Sequence, residues 1–370
     1  MRGLIISANF DKKILDGGQY VNKRNYEVLS KCCENLDIIK TNEISNNPLK
    51  RKINTFFEII ICGSFCGETI FMKRKIVNLL KTRKYDFCFI SQSLGGNLAY
   101  YIKKKIKNIR VIVFFHNVEY EFYKQLAENT SKYKYLLAWN AKYNEKKAIK
   151  YADDIIALND RDAKRIEELY GRKVDLVFPT TFDDANKDDV NKDDVNKDDV
   201  NKDDVNKNLL FVGSNFYANK HGIDWFINNV YIELQNMNLY IVGKGTEVWK
   251  EEYKDFKNIK IMGAVDDLSE YYKLADIVIL PIFLGSGMKT KTAEALMYGK
   301  NILGTNEAFE GYDIDFNKVG FKCNTKKEFI EGIQKILKEK KKYNSYSRNI
   351  FFEKYSNEVW IKKIRNFLNK

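Results

Sequence analysis

The sequence predicts an α/β protein made of two doubly wound parallel sheets. Three observations carry that expectation. Short runs of β-branched and apolar residues alternate with longer stretches of helical period, the alternation halts at the repeat "NKDDVNKDDVNKDDVNKDDVNK", and it then resumes. Continuous apolar strands separated by helices are what a parallel sheet covered on both faces requires. At 370 residues the chain also exceeds one ordinary core.

In the first half, "GLIIS", "DFCFIS", "RVIVFFH", "DDIIALN" and "VDLVFP" read as strands, with "NKRNYEVLSKCCENL", "GNLAYYIKKKI" and "EKKAIKYA" as helices between them. The repeat holds four copies of a five-residue unit from Asn186 to Val205 and a partial fifth. Its period fits neither helix nor strand, and one apolar residue among four polar ones gives no face to bury, so it reads as a linker or solvated surface loop. Its Asp pairs offer oxygen ligands, but the glycine turn and closing Glu of a calcium loop are missing. Beyond it, "NLLFVGS", "NLYIVG", "IKIMG" and "DIVILPIF" read as strands, and "GIDWFINNVYIELQ", "LSEYYKLA", "TKTAEALMYG" and "KKEFIEGIQKILKE" as helices.

Lys and Arg outnumber Asp and Glu by 63 to 50, a formal charge of +13 that suits polyanions, anionic membranes or phosphorylated small molecules. The basic residues are dispersed and match no helix-turn-helix, zinc or RNA-binding pattern, so nucleic acid is not an expected partner. Cys32, Cys33, Cys62, Cys66, Cys88 and Cys323 show no metal-ligand spacing and read as free thiols of a reducing compartment, with no metal expected. "MRGLIISANF" reads as a first strand rather than a signal peptide, and "INTFFEIIICGSFCGETIFM" carries Glu58 and Glu68, which disfavours a bilayer span. A cytoplasmic protein is expected. The following "KRKIVNLLKTRKY" is either a core helix with a basic outer face or a segment lying on the inner face of the plasma membrane.

The most informative stretch is "GSGMKTKTAEALMYGK", from Gly285 to Lys300. A buried strand, a glycine turn and a helix start bring free backbone N–H groups and the positive end of a helix dipole to an anion. Gly285, Gly287 and Met288 form the approach, Lys289 and Lys291 add charge suited to a diphosphate, and Glu294 can accept hydrogen bonds from ribose hydroxyls. The same residues also make an ordinary structural turn, since glycine turns before helices are common.

"PIFLGSGMKTKTAEALMYGKNILGTNEAFEGYD" resembles the donor-binding segment of GT-B glycosyltransferases of the family 4 type, the glycosyl transferases group 1. The resemblance extends upstream through "FVGSNFYANKHGIDWFI", "LYIVGKG" and "IKIMGAVDDLSEYYKLADIVILP", and more loosely to "DGGQYVNKRN", "FFHNVEYEFY" and "ADDIIALNDRDAKRIEELYG" in the first half. It implies two Rossmann-like domains facing each other across a cleft. They would be an acceptor-binding domain over 1–178, a linker over 179–207, a nucleotide-sugar domain over 208–350, and a helix over 351–370 crossing back to the first domain. It further implies that Glu294 holds the ribose, that Lys220 contacts the diphosphate and acts catalytically by stabilising its departure, and that Ser214 stands where the family commonly has an Arg. Lys289 or Lys291 then supplies the missing charge. Ser286 occupies the place of a Glu that contacts the transferred sugar, and Asn301 replaces a frequent proline.

His116, at the end of "RVIVFF", reads either as a structural residue or, by the resemblance, as a catalytic group facing the donor sugar. Gly17 and Gly18 read as a loop admitting acceptor and diphosphate, or as a plain turn, and Glu119 and Glu121 as solvated residues or acceptor guides. The implied activity is retaining transfer of a hexosyl group from a nucleotide sugar, UDP-sugar favoured over GDP-sugar, to a glycan, lipid-linked or protein acceptor of bacterial surface glycan synthesis, with no cofactor. The rivals are an inactive partner subunit, suggested by Ser214 and Ser286, and a nucleotide-sugar epimerase.

Overall fold

A computed structural model of the chain describes residues 1–10, 17–41, 56–61, 63–64, 67–185, 207–234, 236–285, 287–339 and 341–370. The NKDDV repeat, Ser286, Cys62 and Cys66 therefore lie outside the described residues. The chain divides into two units, Met1–Pro179 with Trp360–Lys370, and Thr180–Val359.

In the first unit β1 (Arg2–Ser7), β2 (Asn35–Lys40), β3 (Phe87–Ile90), β4 (Arg110–Phe115), β5 (Asp154–Ala157) and β6 (Leu176–Val177) form a parallel sheet in the order β2-β1-β3-β4-β5-β6. Its central strands read as unbroken apolar runs because both faces are covered: all of Phe87–Ile90 and all of β4 after Arg110 is buried. Leu4, Ile6, Cys88, Ile90, Val111 and Val113 form one core with Ile76 and Leu80 of the helix Ile70–Thr82 and Leu98 and Ile102 of the helix Gly96–Lys105. The end of the chain belongs to this unit. Trp360 stacks on Phe178 at 5.0 Å, the Arg365 guanidinium donates to the Lys31 carbonyl at 2.7 Å, and Arg110 donates to the Leu368 carbonyl at 2.9 Å.

The second unit repeats the plan. Strands β7 (Asn208–Val212), β8 (Asn238–Val242), β9 (Ile259–Gly263), β10 (Ile277–Leu280), β11 (Asn301–Gly304) and β12 (Gly320–Lys322) pair in parallel in the order β12-β11-β10-β7-β8-β9. The helix Lys326–Glu339 covers the sheet through Phe329, Ile333 and Ile336, the buried face of its turn period. Inside this unit Arg348 forms a bidentate pair with Asp184 at 2.7 and 2.8 Å and donates to the Met297 carbonyl, anchoring Thr180–Ala185 to the end of the helix Thr290–Met297.

Two expectations change. Gly17 and Gly18 are the first residues of the helix Gly17–Cys32 rather than a loop before it. The segment "EKKAIKYA" is the last part of a longer helix, Tyr135–Tyr151, whose buried face is Ala138, Ala141, Asn144, Glu145 and Ala148. Small residues there admit the close neighbour Gly96, where a Cβ would lie 1.8 Å from the Asn144 carbonyl oxygen.

Candidate functional site

The strand order of the second unit sets where a ligand can bind. β7 starts the sheet in its middle, later strands are added on both sides, and the crevice at the carboxyl ends of β7 and β10 is the switch point of the topology. Two turns meet there. One follows β7 at Gly213; the other follows β10 and runs from Pro281 to the helix Thr290–Met297.

The first turn is tight. Ser214 uses its carbonyl to accept from the Phe216 amide at 2.7 Å and from Asn219 Nδ2 at 2.9 Å. The helix Tyr217–Asn229 then leaves against the second turn: a Cβ on Gly222 would lie 1.9 Å from the Pro281 carbonyl oxygen. In the second turn Gly285 and Gly287 take φ of +136° and +65°, which side-chain-bearing residues avoid. The helix after them starts at Lys289 with no side-chain cap. Instead the Tyr312 hydroxyl bridges its first turn, donating to the Lys289 carbonyl at 2.6 Å and accepting from the Ala293 amide at 3.0 Å.

Lys291 and Glu294, one helical turn apart, point into this crevice. Lys291 Nζ donates to Asn219 Oδ1 at 2.7 Å and sits over bare Gly213, where a Cβ would come within 2.9 Å of it. Burial, and then the charge of Lys289, push the Lys291 ammonium down to about 7, opposed by Glu294. Glu294 accepts from the Tyr272 hydroxyl at 2.9 Å; burial pushes its carboxyl up to about 7, against the hydroxyl bond and Lys291. Tyr272 is held by stacking on Tyr298 at 4.5 Å. Near neutrality this is a cation and an acid, each balanced between its two protonation states, beside a glycine surface. Lys289 donates to the Gly287 carbonyl at 2.8 Å and pairs with Glu307 at 2.6 Å.

One site residue falls elsewhere. Lys220 is held by Asp224, by Glu252 at 2.8 Å and by the Tyr253 hydroxyl at 3.2 Å, so its neighbour Asn219, not Lys220, meets Lys291. His221 packs by its ring against Phe283. Asn219 was missed because an amide carries no charge to draw attention, although its spacing from Gly213 was available.

In the first unit His116 follows β4, with its ring edge-on to Phe114 at 5.2 Å. Burial, and then the charge of Arg24, push its imidazole down to about 3 against a backbone hydrogen bond at Ser91, so it is neutral at any physiological pH. Glu119 is not solvated as one reading held: burial pushes its carboxyl up to about 7, and its amide donates to Glu145 at 2.6 Å. Glu145, fully buried, accepts from the Glu119 and Tyr120 amides and so caps the helix Glu119–Asn129 from a neighbouring helix, and it also accepts from the Tyr170 hydroxyl at 2.6 Å. Glu121 pairs with Arg165 at 2.6 Å. Among the described residues, no group of three or more His, Cys, Asp and Glu is placed to hold a metal ion.

With this geometry in hand, residues 206–339 match the family described as glycosyl transferases group 1. The chain resembles the GT-B glycosyltransferases. No curated protein matches the sequence. Among solved structures, a glycosyltransferase from Rickettsia africae superposes with a TM-score of 0.66 at 16% identity, covering 100% of this chain and 98% of that one. Anabaena HepE in complex with UDP gives 0.64 at 11% identity, with 100% of both chains covered. The lipopolysaccharide outer core galactosyltransferase WaaB gives 0.59 at 14%, covering 99% and 98%. At these identities the structural likeness shows a common fold. The group 1 segment contains Gly213, Asn219, Lys291 and Glu294 together.

Proposed function

We propose that the protein is a retaining glycosyltransferase that moves a sugar from a nucleoside diphosphate sugar, UDP-sugar in the first instance, to an acceptor hydroxyl, with acceptor groups supplied by the first unit. One observation carries this reading: the start of the helix Thr290–Met297, with Lys291 and Glu294 turned to the switch-point crevice, lies inside the group 1 segment. The chemistry follows from the charges. As the glycosidic bond to the diphosphate breaks, negative charge grows on the departing phosphate, and fixed N–H dipoles and ammonium groups stabilise that state more than the ground state. Lys289 and Lys291 provide this charge without a divalent cation, while Glu294 fixes the ribose.

A panel of UDP- and GDP-sugars, assayed by calorimetry and for hydrolysis and transfer with and without EDTA, tests it. Binding and turnover of one UDP-sugar, indifferent to EDTA, with the anomeric configuration kept in the product, is the expected result. Binding without turnover of any donor would favour an inactive subunit, and no nucleotide binding would end the proposal.

We also propose that the first unit docks on an anionic membrane surface. Tyr135, Leu136, Trp139 and Tyr143 are exposed on one face of the helix Tyr135–Tyr151, Trp139 at 67%. Phe56, Phe57, Ile60 and Ile61 are exposed on the helical stretch 56–61, and the Gly63 carbonyl beyond it accepts from Asn144 at 2.8 Å. Exposed Lys132 and Lys146 flank this apolar surface, as lipid headgroups would require. No helix among the described residues is long and apolar enough to cross a membrane. The expected outcome is sedimentation with phosphatidylglycerol vesicles, at least tenfold weaker for Trp139→Glu with Phe57→Glu; equal sedimentation of the double variant would refute it.

A further inference from the structure

The first unit contains a buried charge that no carboxylate among the described residues neutralises. Arg24, on the helix Gly17–Cys32, is fully buried. One arm, Nη1, donates to the Pro179 carbonyl at 2.7 Å, and the guanidinium lies over the Phe178 ring, 3.6 Å from its centroid. Nε and Nη2 have no hydrogen-bond partner. Among the described residues no carboxylate pairs with it, and burial pushes its pKa down to about 9, a sign of a cation held without a counter-charge. Proteins seldom keep an unpaired buried ion, because its desolvation is not offset.

The surroundings are as unsatisfied as the arginine. Asn25 donates to the Ser91 hydroxyl at 2.9 Å, and the Ser91 backbone holds His116, so all three elements converge at the carboxyl ends of β3 and β4. The buried atoms Asn25 Oδ1, Gln92 Nε2 and His116 Nε2 likewise lack partners. Gln92 and His116 are half-buried as residues, so the buried cluster lies under side chains that themselves reach the surface. Nε and Nη2 lie on one edge of a planar guanidinium, the two parallel donors that take both oxygens of a carboxylate or phosphate.

From this geometry we infer that Arg24, with Gln92 and His116, forms an oxyanion-binding site in the first unit that takes a carboxylate or phosphate group carried by a sugar. Arg24 is the specificity-determining residue: its fork selects an anion of two coplanar oxygens, and the amide and imidazole beside it read the attached hydroxyls. The inference does not depend on the transfer reaction, and it concerns residues outside the group 1 segment.

The test uses the full chain with glucose 6-phosphate, glucuronate and, as the neutral control, glucose. For the wild type, one or both anions should raise Tm and move the His116 imidazole resonances, with glucose inert. A response to glucose 6-phosphate alone assigns a phosphate, and one to glucuronate alone a carboxylate. Arg24→Met should match or exceed the wild-type Tm in anion-free buffer, because an uncompensated charge is removed, and should lose the anion response at least tenfold. Arg24→Lys, which keeps the charge but not the fork, should lose it similarly, and it keeps the test open if Arg24→Met does not fold. Indifference of the wild type to both anions, or a response undiminished in both variants, would overturn the inference, and UDP affinity measured in parallel reports separately on the second unit.

Discussion

Glu294→Ala is expected to weaken UDP binding by roughly 10- to 100-fold, the loss of two hydrogen bonds to a charged acceptor. Lys289→Ala with Lys291→Ala should produce a drop of similar size by removing charge from the diphosphate. The structure adds a pH signature. Glu294 accepts ribose hydroxyls best when ionised, and burial holds its carboxyl at about 7 in the free protein. Its contribution is therefore present above that pH and lost as pH falls through it. Lys291, pushed down to about 7, behaves oppositely: its charge is present below that pH and fades above it unless the phosphate draws the proton back. Wild-type affinity should accordingly be greatest near neutrality. Glu294→Gln should remove the loss on the acid side between pH 8 and 6.5, and Lys291→Met the loss on the alkaline side. Calorimetry across that range decides it. An affinity of Glu294→Ala within twofold of the wild type, or an unaltered pH profile in Glu294→Gln, would show that the carboxylate does not touch the nucleotide.

Much of this site could be read before any coordinates because its parts lie close together in sequence. A strand, a glycine turn and a helix from Ile277 to Met297 carry their own periodicity and their own chemistry. What escaped reading depends on contacts between distant segments. β2, at the edge of its sheet, shows no buried residue, and β12 has three residues, so neither stands out as an apolar run. Gly17 and Gly18 read as a turn on propensity, yet they are the exposed first residues of the helix Gly17–Cys32, whose buried face begins at Val21. Lys220 drew attention as a cation, while the contact with Lys291 falls to neutral Asn219, because successive positions on a helix face different ways. Arg24 sits in "VNKRNYEV" among polar neighbours, where nothing sets it apart; only the sheet end and Phe178, far along the chain, make it a buried charge.

Gly222→Ala is expected to damage the second unit severely. The added methyl would sit 1.9 Å from the Pro281 carbonyl oxygen and 3.7 Å from Ile282 Cα, both backbone atoms fixed at the end of β10. No side chain can swing aside, so the helix Tyr217–Asn229 must shift away from the sheet. Such overpacking costs about 3 kcal/mol, which for a domain of this size lowers Tm by about 6–12 °C. The same shift carries Asn219 away from Lys291 and opens the ground above Gly213, so UDP affinity should fall with stability. Gly171→Ala supplies the contrast. That glycine, unlike Gly222, has a left-handed φ, +70°, but a Cβ there meets nothing within 4 Å, so only local strain of about 1 kcal/mol is expected and nucleotide affinity should stay unchanged. Thermal melts and calorimetry on the two variants separate backbone strain from the close approach of helix to strand. A Gly222→Ala protein that melted within 2 °C of the wild type would mean that the crevice is not built on that approach, and the route from Gly222 through Asn219 to Lys291 would have to be abandoned.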